Sequence, residues 1–163
     1  MDNKAYGTVL PDRHIRLADG SACRIRPLGA ADRDRLLQCF ADLSPESRRR
    51  RFLGVKPSLT ESDLALLTGA DGYDHIALGA LRLDVRGEEV ELLGVARCIR
   101  LGPGSDTGEL AMAVIDKAQG RGIGRALLTQ LIAAARTCGV GRLRFEVLAA
   151  NHVSNIDPVI VGL

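Results

Sequence analysis

The sequence predicts an α/β domain with a mixed, mostly antiparallel central sheet flanked by helices. Segments of strand length and segments of helical period follow in the order strand, two or three helices, three strands, glycine-rich bend, long helix, strand. Short turns join the three middle strands, which is typical of antiparallel pairing. We divide the chain into an N-terminal arm over residues 1–16 and a single domain over residues 17–163.

The first half of the chain predicts one strand and three helices. Asp19-Gly20 is typical of a hairpin turn, and it precedes a segment in which apolar and basic side chains alternate. Ser44 fits the N-cap of a helix, and Thr60 begins a capping signal before another. The predicted elements are a strand over residues 22–26, a helix over residues 30–43, a helix from residue 45 onward and a helix over Glu61–Thr68.

The second half predicts four strands and one long helix. The long helix carries an apolar stripe with helical spacing, and Gly139 fits a left-handed C-cap after it. A hairpin loop is predicted over residues 86–89. The predicted elements are strands over residues 74–83, 91–100, 108–115 and 142–148, and a helix over residues 125–136.

The composition is that of an ordinary globular protein. Aromatic residues make up 3% of the 163 residues and the net charge is +2, so neither base stacking nor a basic surface for nucleic acid is expected. No apolar run reaches membrane-spanning length. The four cysteines lie far apart without metal-ligand spacing, so we expect buried, reduced thiols in a cytoplasmic protein and no metal.

The glycine-rich bend before the long helix is the first candidate binding site. Gly120, Gly122 and Gly124 alternate with other residues where the helix begins, and Arg121 and Arg125 lie beside them. The first amides of a helix have no intrahelical partner, and the helix dipole adds positive charge there. Glycines let an anion approach these amides, so the bend predicts a phosphate or pyrophosphate site. A flexible connection is the alternative interpretation.

The residues from Val114 to Gly124, VIDKAQGRGIG, resemble motif A of the GNAT N-acetyltransferase superfamily, V-x-x-x-x-[QR]-x-x-G-x-[GA]. The resemblance covers about residues 22–151 and implies the GNAT fold, acetyl-CoA as co-substrate and transfer of an acetyl group to an amine. It implies that the bend binds the pyrophosphate and that the strand before it hydrogen-bonds the pantetheine arm. The implied cofactor-binding residues are Met112, Val114, Gln119, Gly120, Arg121, Gly122, Gly124, Arg125 and Asn151.

Three segments are similar to the acetyltransferase domain of the bacterial Pat-type protein lysine acetyltransferases. They are residues 17–20 (LADG), residues 25–27 (IRP) and residues 43–52 (LSPESRRRRF). In that group the glutamate of a segment like Gly108-Glu109-Leu110-Ala111 acts as general base, so Glu109 is the catalytic candidate. We expect an apolar setting to raise its pKa; a solvated strand-end carboxylate is the alternative.

Two further polar residues are candidates, one on the strand predicted over residues 142–148 and one just after it. Glu146 is the second candidate for the base, with an exposed strand residue as the alternative. Asn151 matches a family asparagine near the cofactor, although asparagine is also a common helix N-cap.

The four arginines at positions 48–51 have two interpretations. They form either a solvated helix face or a docking patch for an acidic partner or the cofactor's 3′-phosphate. On one short helix they cannot all point the same way.

The C-terminal part departs from the family pattern. GNAT domains continue with a helix, often carrying a tyrosine that acts as general acid, and with further strands; here no tyrosine follows Tyr73, and residues 159–161 could form one short strand. The last strands are therefore expected to be missing or replaced. The resulting hypothesis is a homodimer or higher oligomer through the C-terminal sheet edge.

Three functions remain open from the sequence. The first is an acetyl-CoA-dependent N-acetyltransferase whose acceptor is a protein lysine or a small amine, by direct attack without an acyl-enzyme. The second is a coenzyme A-binding sensor or regulatory module with little turnover. The third is an interaction protein that retains only the scaffold and uses the arginine run.

Overall fold

The computed structural model describes residues 10–52, 57–148 and 156–162. A seven-stranded sheet contains its strands in chain order, from β1 at one edge to β7 at the other. The strands are β1 (Arg13–Arg16), β2 (Ala22–Pro27), β3 (His75–Leu83), β4 (Glu89–Arg100), β5 (Thr107–Val114), β6 (Arg142–Leu148) and β7 (Ile156–Gly162). The helices are α1 (Arg33–Ala41), α2 (Pro45–Phe52), α3 (Glu61–Thr68) and α4 (Ile123–Thr137).

The sheet is mixed and mostly antiparallel, as the sequence predicts. All neighbouring strands pair antiparallel except β5 and β6, which run parallel. Helix α4 connects these two strands, as a parallel connection requires. Every predicted strand and helix is present, with boundaries shifted by a few residues at most.

Helices cover both faces of the sheet. Successive residues of a strand point to opposite faces. Gly94 of β4 points toward α4, because a Cβ there would lie 3.2 Å from Leu127 Cδ1. Its neighbour Val95 points the other way and lines a small apolar cavity with residues of α1, including Leu36 and Phe40. The fully buried core side chains are almost all aliphatic, which fits the scarcity of aromatic residues.

The predicted helix caps are confirmed by their hydrogen bonds. Ser47 N donates to Ser44 Oγ at 3.1 Å at the start of α2. Thr60 and Asp63 form a reciprocal capping box at the start of α3, with Asp63 N donating to Thr60 Oγ1 at 3.1 Å. Gly139 adopts a φ of 80° after α4, which glycine tolerates without steric cost. These local signals explain why the helix boundaries could be predicted closely.

At both edges of the sheet the structure contains more strand than the sequence predicts. Residues 13–16, assigned to the N-terminal arm, form the edge strand β1, and the Asp19-Gly20 turn joins it to β2. At the other end, β7 pairs with β6 over the full length of both strands, so it is longer than the short strand predicted for residues 159–161. Pro158 is compatible with this position because β7 is an edge strand. The oligomer hypothesis stays a prediction.

The four cysteines are buried and free, as predicted. Burial raises the pKa of Cys23 and Cys98 to about 11 and that of Cys39 to about 12. These three thiols are therefore protonated at neutral pH and weak nucleophiles. Among the described residues, no helix combines the length and apolarity needed to cross a bilayer.

Candidate functional site

The parallel strands β5 and β6 separate after three residue pairs. The pairs are Thr107 with Arg142, Gly108 with Leu143 and Glu109 with Arg144. The remaining five residues of β5 pair with β4 but not with β6. A gap between two strands of one sheet leaves backbone groups of β5 available to a ligand that lies along the strand.

Alternate residues of β5 direct their backbone groups into this gap. Ile115 N, just after β5, donates to Leu93 O, so the odd-numbered positions face β4. Met112 and Val114 therefore turn their amides and carbonyls toward the gap. Val114 O accepts a 3.0 Å hydrogen bond from Gln119 Nε2, which is consistent with this direction.

The glycine bend lies at the end of the gap. Gly120 and Gly122 have φ values of 76° and 89°, and Gly122 is the N-cap of α4. Ala126 N donates to Gly122 O, so the amides of residues 123–125 precede the helix's own hydrogen-bond ladder. A Cβ at Gly124 would lie 3.7 Å from Met112 Cε, so the first turn of α4 packs directly against β5.

The two arginines of the bend, Arg121 and Arg125, differ in their ion pairing. Arg121 forms an ion pair with Asp19, with Nη1 3.0 Å from Oδ2, and its backbone carbonyl accepts a hydrogen bond from Ala18 N. Its charge is therefore partly offset by the β1–β2 turn. Arg125 is exposed on the first turn of α4, and no ion pair of this side chain occurs in the described part of the chain.

Glu109 lies at the last residue pair before the gap. Arg144 Nη2 donates to Glu109 Oε2 at 2.7 Å, and the Glu109 side chain is 45% exposed. The apolar setting expected for this carboxylate is therefore wrong: a cation and solvent surround it. Arg144 was missed by the sequence analysis, although its place two residues before Glu146 on the same predicted strand gave it the same face.

Helix α2 forms the opposite wall of a cleft beside β5. The cleft encloses about 150 Å³ and is lined by Ser47, Arg50, Arg51, Met112, Ala113, Val114 and Gln119. Asp116 fixes α2 to the bend: Oδ1 accepts from Ser44 N at 2.8 Å and Oδ2 accepts from Ser47 Oγ at 3.2 Å. These bonds lower the pKa of Asp116, the bond from Ser44 N most. The sequence analysis singled out neither Asp116 nor this contact.

The four arginines of α2 point in different directions, as the helical geometry required. Arg48 donates to backbone carbonyls at the end of α1 and stacks over Phe40, 4.4 Å from the ring centroid. Arg50 pairs with Glu46 one turn earlier, and Arg49 is exposed. Arg51 is half-buried and lines the cleft. The run therefore does not form one continuous patch.

A buried arginine that the sequence analysis missed lies on β4. Arg97 is 1% exposed, and its Nη1 donates to His75 Nε2 at 3.1 Å. Because a guanidinium only donates, His75 must carry its proton on Nδ1. Burial, together with the charge of Arg51, lowers the pKa of Arg97 to about 10, so it stays a cation at neutral pH. Its one sequence signal was a charge within the otherwise apolar segment of residues 92–99.

Two predicted residues cannot be placed in the site. Asn151 lies outside the described residues. Glu146 is part of β6, opposite Pro158 of β7, and its side chain is outside the description. The described residues contain no group of three side chains that could hold a metal ion.

Comparison with known proteins agrees with this geometry. Residues 46–155 match the model of the acetyltransferase (GNAT) family. The chain is 31% identical over 147 residues to acetyltransferase Pat of Mycolicibacterium smegmatis, covering 90% of this chain and 42% of that protein. It is 32% identical over 152 residues to acetyltransferase PA5475 of Pseudomonas aeruginosa, covering 92% and 80%. The chain thus spans less than half the length of the Mycolicibacterium relative.

Solved structures give the same result for the fold. The GNAT domain of S. lividans PAT superposes with a TM-score of 0.76 at 34% identity, covering 86% of this chain and 80% of that one. The yncA protein of Salmonella typhimurium, solved with its cofactor acetyl-CoA, superposes with a TM-score of 0.60 at 22% identity, covering 79% and 72%. The strand gap, the glycine bend and the match over two thirds of the sequence lead to one conclusion: this chain belongs to the acetyltransferase (GNAT) family.

Proposed function

We propose that this chain transfers an acetyl group from acetyl-CoA to the amine of a small molecule or a protein lysine. The observation that carries the proposal is the gap between β5 and β6, which begins at Glu109 and ends at the glycine bend. One end supplies a carboxylate, the middle supplies backbone hydrogen-bonding groups, and the other end supplies free helix amides. Acetyl transfer from acetyl-CoA is general for the family.

The proposal gives each part of the gap a role in cofactor binding. The amides of residues 123–125 and the exposed Arg125 suit the pyrophosphate. Met112 and Val114 suit hydrogen bonds to the pantetheine amides. Val114 O already accepts a hydrogen bond from Gln119 Nε2, and its second lone pair can accept one from a ligand amide.

Glu109 is the residue we assign to proton removal. An ammonium has no lone pair, so the acceptor must lose a proton to the carboxylate, directly or through one water, before its nitrogen attacks the thioester carbonyl. The carbon–sulfur bond then breaks, and the thiolate takes a proton from solvent, since thiols are far more acidic than alcohols. The buried cysteines with raised pKa values argue against an acyl-enzyme, so attack by the amine is direct.

The ion pair between Glu109 and Arg144 favours a second candidate function. Arg144 occupies one carboxylate oxygen of Glu109 at 2.7 Å, which leaves fewer acceptor positions for the amine. A coenzyme A-binding module with little turnover would keep the glycine bend and the strand gap without needing a free base. The two functions differ in turnover and agree in cofactor binding.

The test combines cofactor binding with turnover. Acetyl-CoA at about 100 times its Kd should add about 2.7 kcal/mol to the stability and raise the Tm by roughly 2–4 °C per kcal/mol. Gly124→Glu should abolish this shift in a folded variant, because it adds a negative charge to the first turn of α4, which is proposed to bind the pyrophosphate. Gly102→Glu is the matched control, since Gly102 lies in an open turn with no atom near its Cβ position.

Release of coenzyme A thiol over a panel of amines then separates the two functions. Turnover that Glu109→Gln reduces at least about 100-fold supports general base catalysis. A Tm shift without turnover on any amine supports the binding module. Absence of any shift at millimolar acetyl-CoA in the folded protein would contradict both.

A further inference from the structure

The glycine bend before α4 has little packing of its own. Ala118 and Ile123 fix its two ends in the core, and each is 1% exposed. Between them, Gly120 and Gly122 are exposed and have positive φ values. Apart from their chain neighbours, no atom of the described residues lies within 4 Å of a Cβ built at either glycine. Because glycine has the greatest backbone freedom, the bend needs contacts from elsewhere to keep one conformation.

The turn between β1 and β2 supplies such contacts to Arg121, the residue between the two glycines. Arg121 Nη1 lies 3.0 Å from Asp19 Oδ2. The backbone carbonyl of Arg121 accepts a longer hydrogen bond, 3.4 Å, from Ala18 N. The turn therefore holds Arg121 both by its side chain and by its backbone.

The turn that makes these contacts is itself well ordered by hydrogen bonds. Asp19 Oδ1 accepts from Ser21 N at 3.0 Å and from Ser21 Oγ. The Ser21 hydroxyl most of all, and Arg121 to a smaller degree, lower the pKa of Asp19, so its carboxylate is ionised at neutral pH. Leu17 is buried, and its N and O bond Ser21 and Gly20 within the same turn. A carboxylate that is already fixed loses little freedom when it holds a partner.

We infer that Asp19 is a positioning residue for the cofactor: it holds Arg121 and thereby keeps the glycine bend in the conformation that binds the pyrophosphate. The inference rests on the proposed cofactor site and adds to it a residue from the opposite end of the domain sequence. The opposing effect of the Asp19 carboxylate is repulsion of the pyrophosphate, which the ion pair with Arg121 offsets. The two effects differ in sign, since loss of the support weakens binding and loss of repulsion strengthens it.

The test compares the Kd of acetyl-CoA, measured by calorimetry, between the parent, Asp19→Asn and Asp19→Glu. Asparagine keeps an oxygen that accepts from Ser21 but loses the charge that pairs with Arg121. We expect Asp19→Asn to raise the Kd about three- to fivefold, the upper range for an exposed ion pair. Asp19→Glu keeps the carboxylate and should raise it less than twofold. The Tm without cofactor should stay nearly unchanged, whereas a merely structural role would lower that Tm and leave the Kd alone.

A double-variant cycle shows whether Asp19 acts through Arg121. Arg121→Gln should also raise the Kd, and the addition of Asp19→Asn should change it by less than a further twofold. Losses that multiply in full would contradict the inference. The amide of Ala18 is a second readout: acetyl-CoA should slow its hydrogen exchange in the parent and slow it less in Asp19→Asn.

The matched control makes the same change in another hairpin turn. Asp84 Oδ1 accepts from Arg86 N and Glu88 N between β3 and β4, so Asp84→Asn should leave the Kd of acetyl-CoA unchanged. A Kd in Asp19→Asn that equals the parent's or falls below it would overturn the inference and leave the cofactor site intact. Absence of acetyl-CoA binding by the folded parent would overturn both.

Discussion

Arg144 of β6 donates a 2.7 Å hydrogen bond to Glu109 of β5 at the last residue pair that the two strands share. The pair stands where the sheet divides, so it holds the proposed base at the mouth of the gap. Its exposure to solvent limits what the ion pair itself adds to stability. Its main effect is to fix the position of the Glu109 carboxylate.

The first prediction is that Arg144 acts on activity only through Glu109. Arg144→Gln should lower kcat about tenfold, because the carboxylate loses its anchor, and Glu109→Gln should lower it about 100-fold or more. The double variant should be no slower than Glu109→Gln alone, since partners in one interaction are not additive. Fully additive losses, measured by thiol release, would show that the two residues act independently.

A second prediction concerns the packing of β5 against β4. A Cβ at Gly108 would lie 2.4 Å from Cys98 Sγ, which no ordinary contact allows. Gly108→Ala should therefore destabilise the protein by about 1–3 kcal/mol through overpacking. Chemical denaturation would measure the change, and Cys98→Ala should restore part of the loss in the double variant. Gly102→Ala, in an open turn, should leave the stability nearly unchanged.

A third prediction is a loss of stability at mildly acidic pH through His75. Burial, and then the charge of Arg97, lower the pKa of His75 below its ordinary value of 6.5. The unfolded chain therefore binds a proton at a pH where the folded chain does not, so the free energy of unfolding should fall as the pH drops below 6.5. His75→Gln should flatten this dependence between about pH 5 and 6.5. An unchanged slope in the variant would assign the effect to other groups.

The fourth prediction concerns the anchor that Asp116 gives to helix α2. Asp116→Ala removes the acceptors that bind Ser44 N and Ser47 Oγ, so the start of α2 loses its anchor to the bend. The stability should fall by about 0.5–1 kcal/mol, as for a lost helix cap. Because α2 forms one wall of the cleft that Met112, Val114 and Gln119 also line, the Tm shift with acetyl-CoA should become smaller. An unchanged Tm shift would show that the anchor of α2 does not contribute to cofactor binding.

The sequence predicted the elements better than it predicted the site. Helix caps at Ser44 and Thr60 and the left-handed Gly139 are local signals, and all three hold in the structure. The motif around Gly122 similarly located the bend at the start of α4. Such features depend on a few neighbouring residues, so they can be derived without knowing the fold.

The contacts that define the site's charge are long-range, and the sequence analysis missed them. Arg144 and Glu109 are 35 positions apart in the sequence, and Arg97 and His75 are 22 positions apart, yet each pair is hydrogen-bonded. The expected apolar setting of Glu109 failed for this reason, since periodicity predicts which face a residue occupies but not which strand lies beside it. The sequence likewise predicted a hairpin turn at Asp19-Gly20 but not the ion pair between Asp19 and Arg121.

Because the strands lie in chain order, the first and last strands occupy opposite edges of the sheet. No later segment has to thread between strands that have already paired, so the hydrogen-bond ladder can grow outward from the middle in both directions. Removal of the edge strand β1 would remove only its hydrogen-bond ladder with β2. The gap between β5 and β6 would remain.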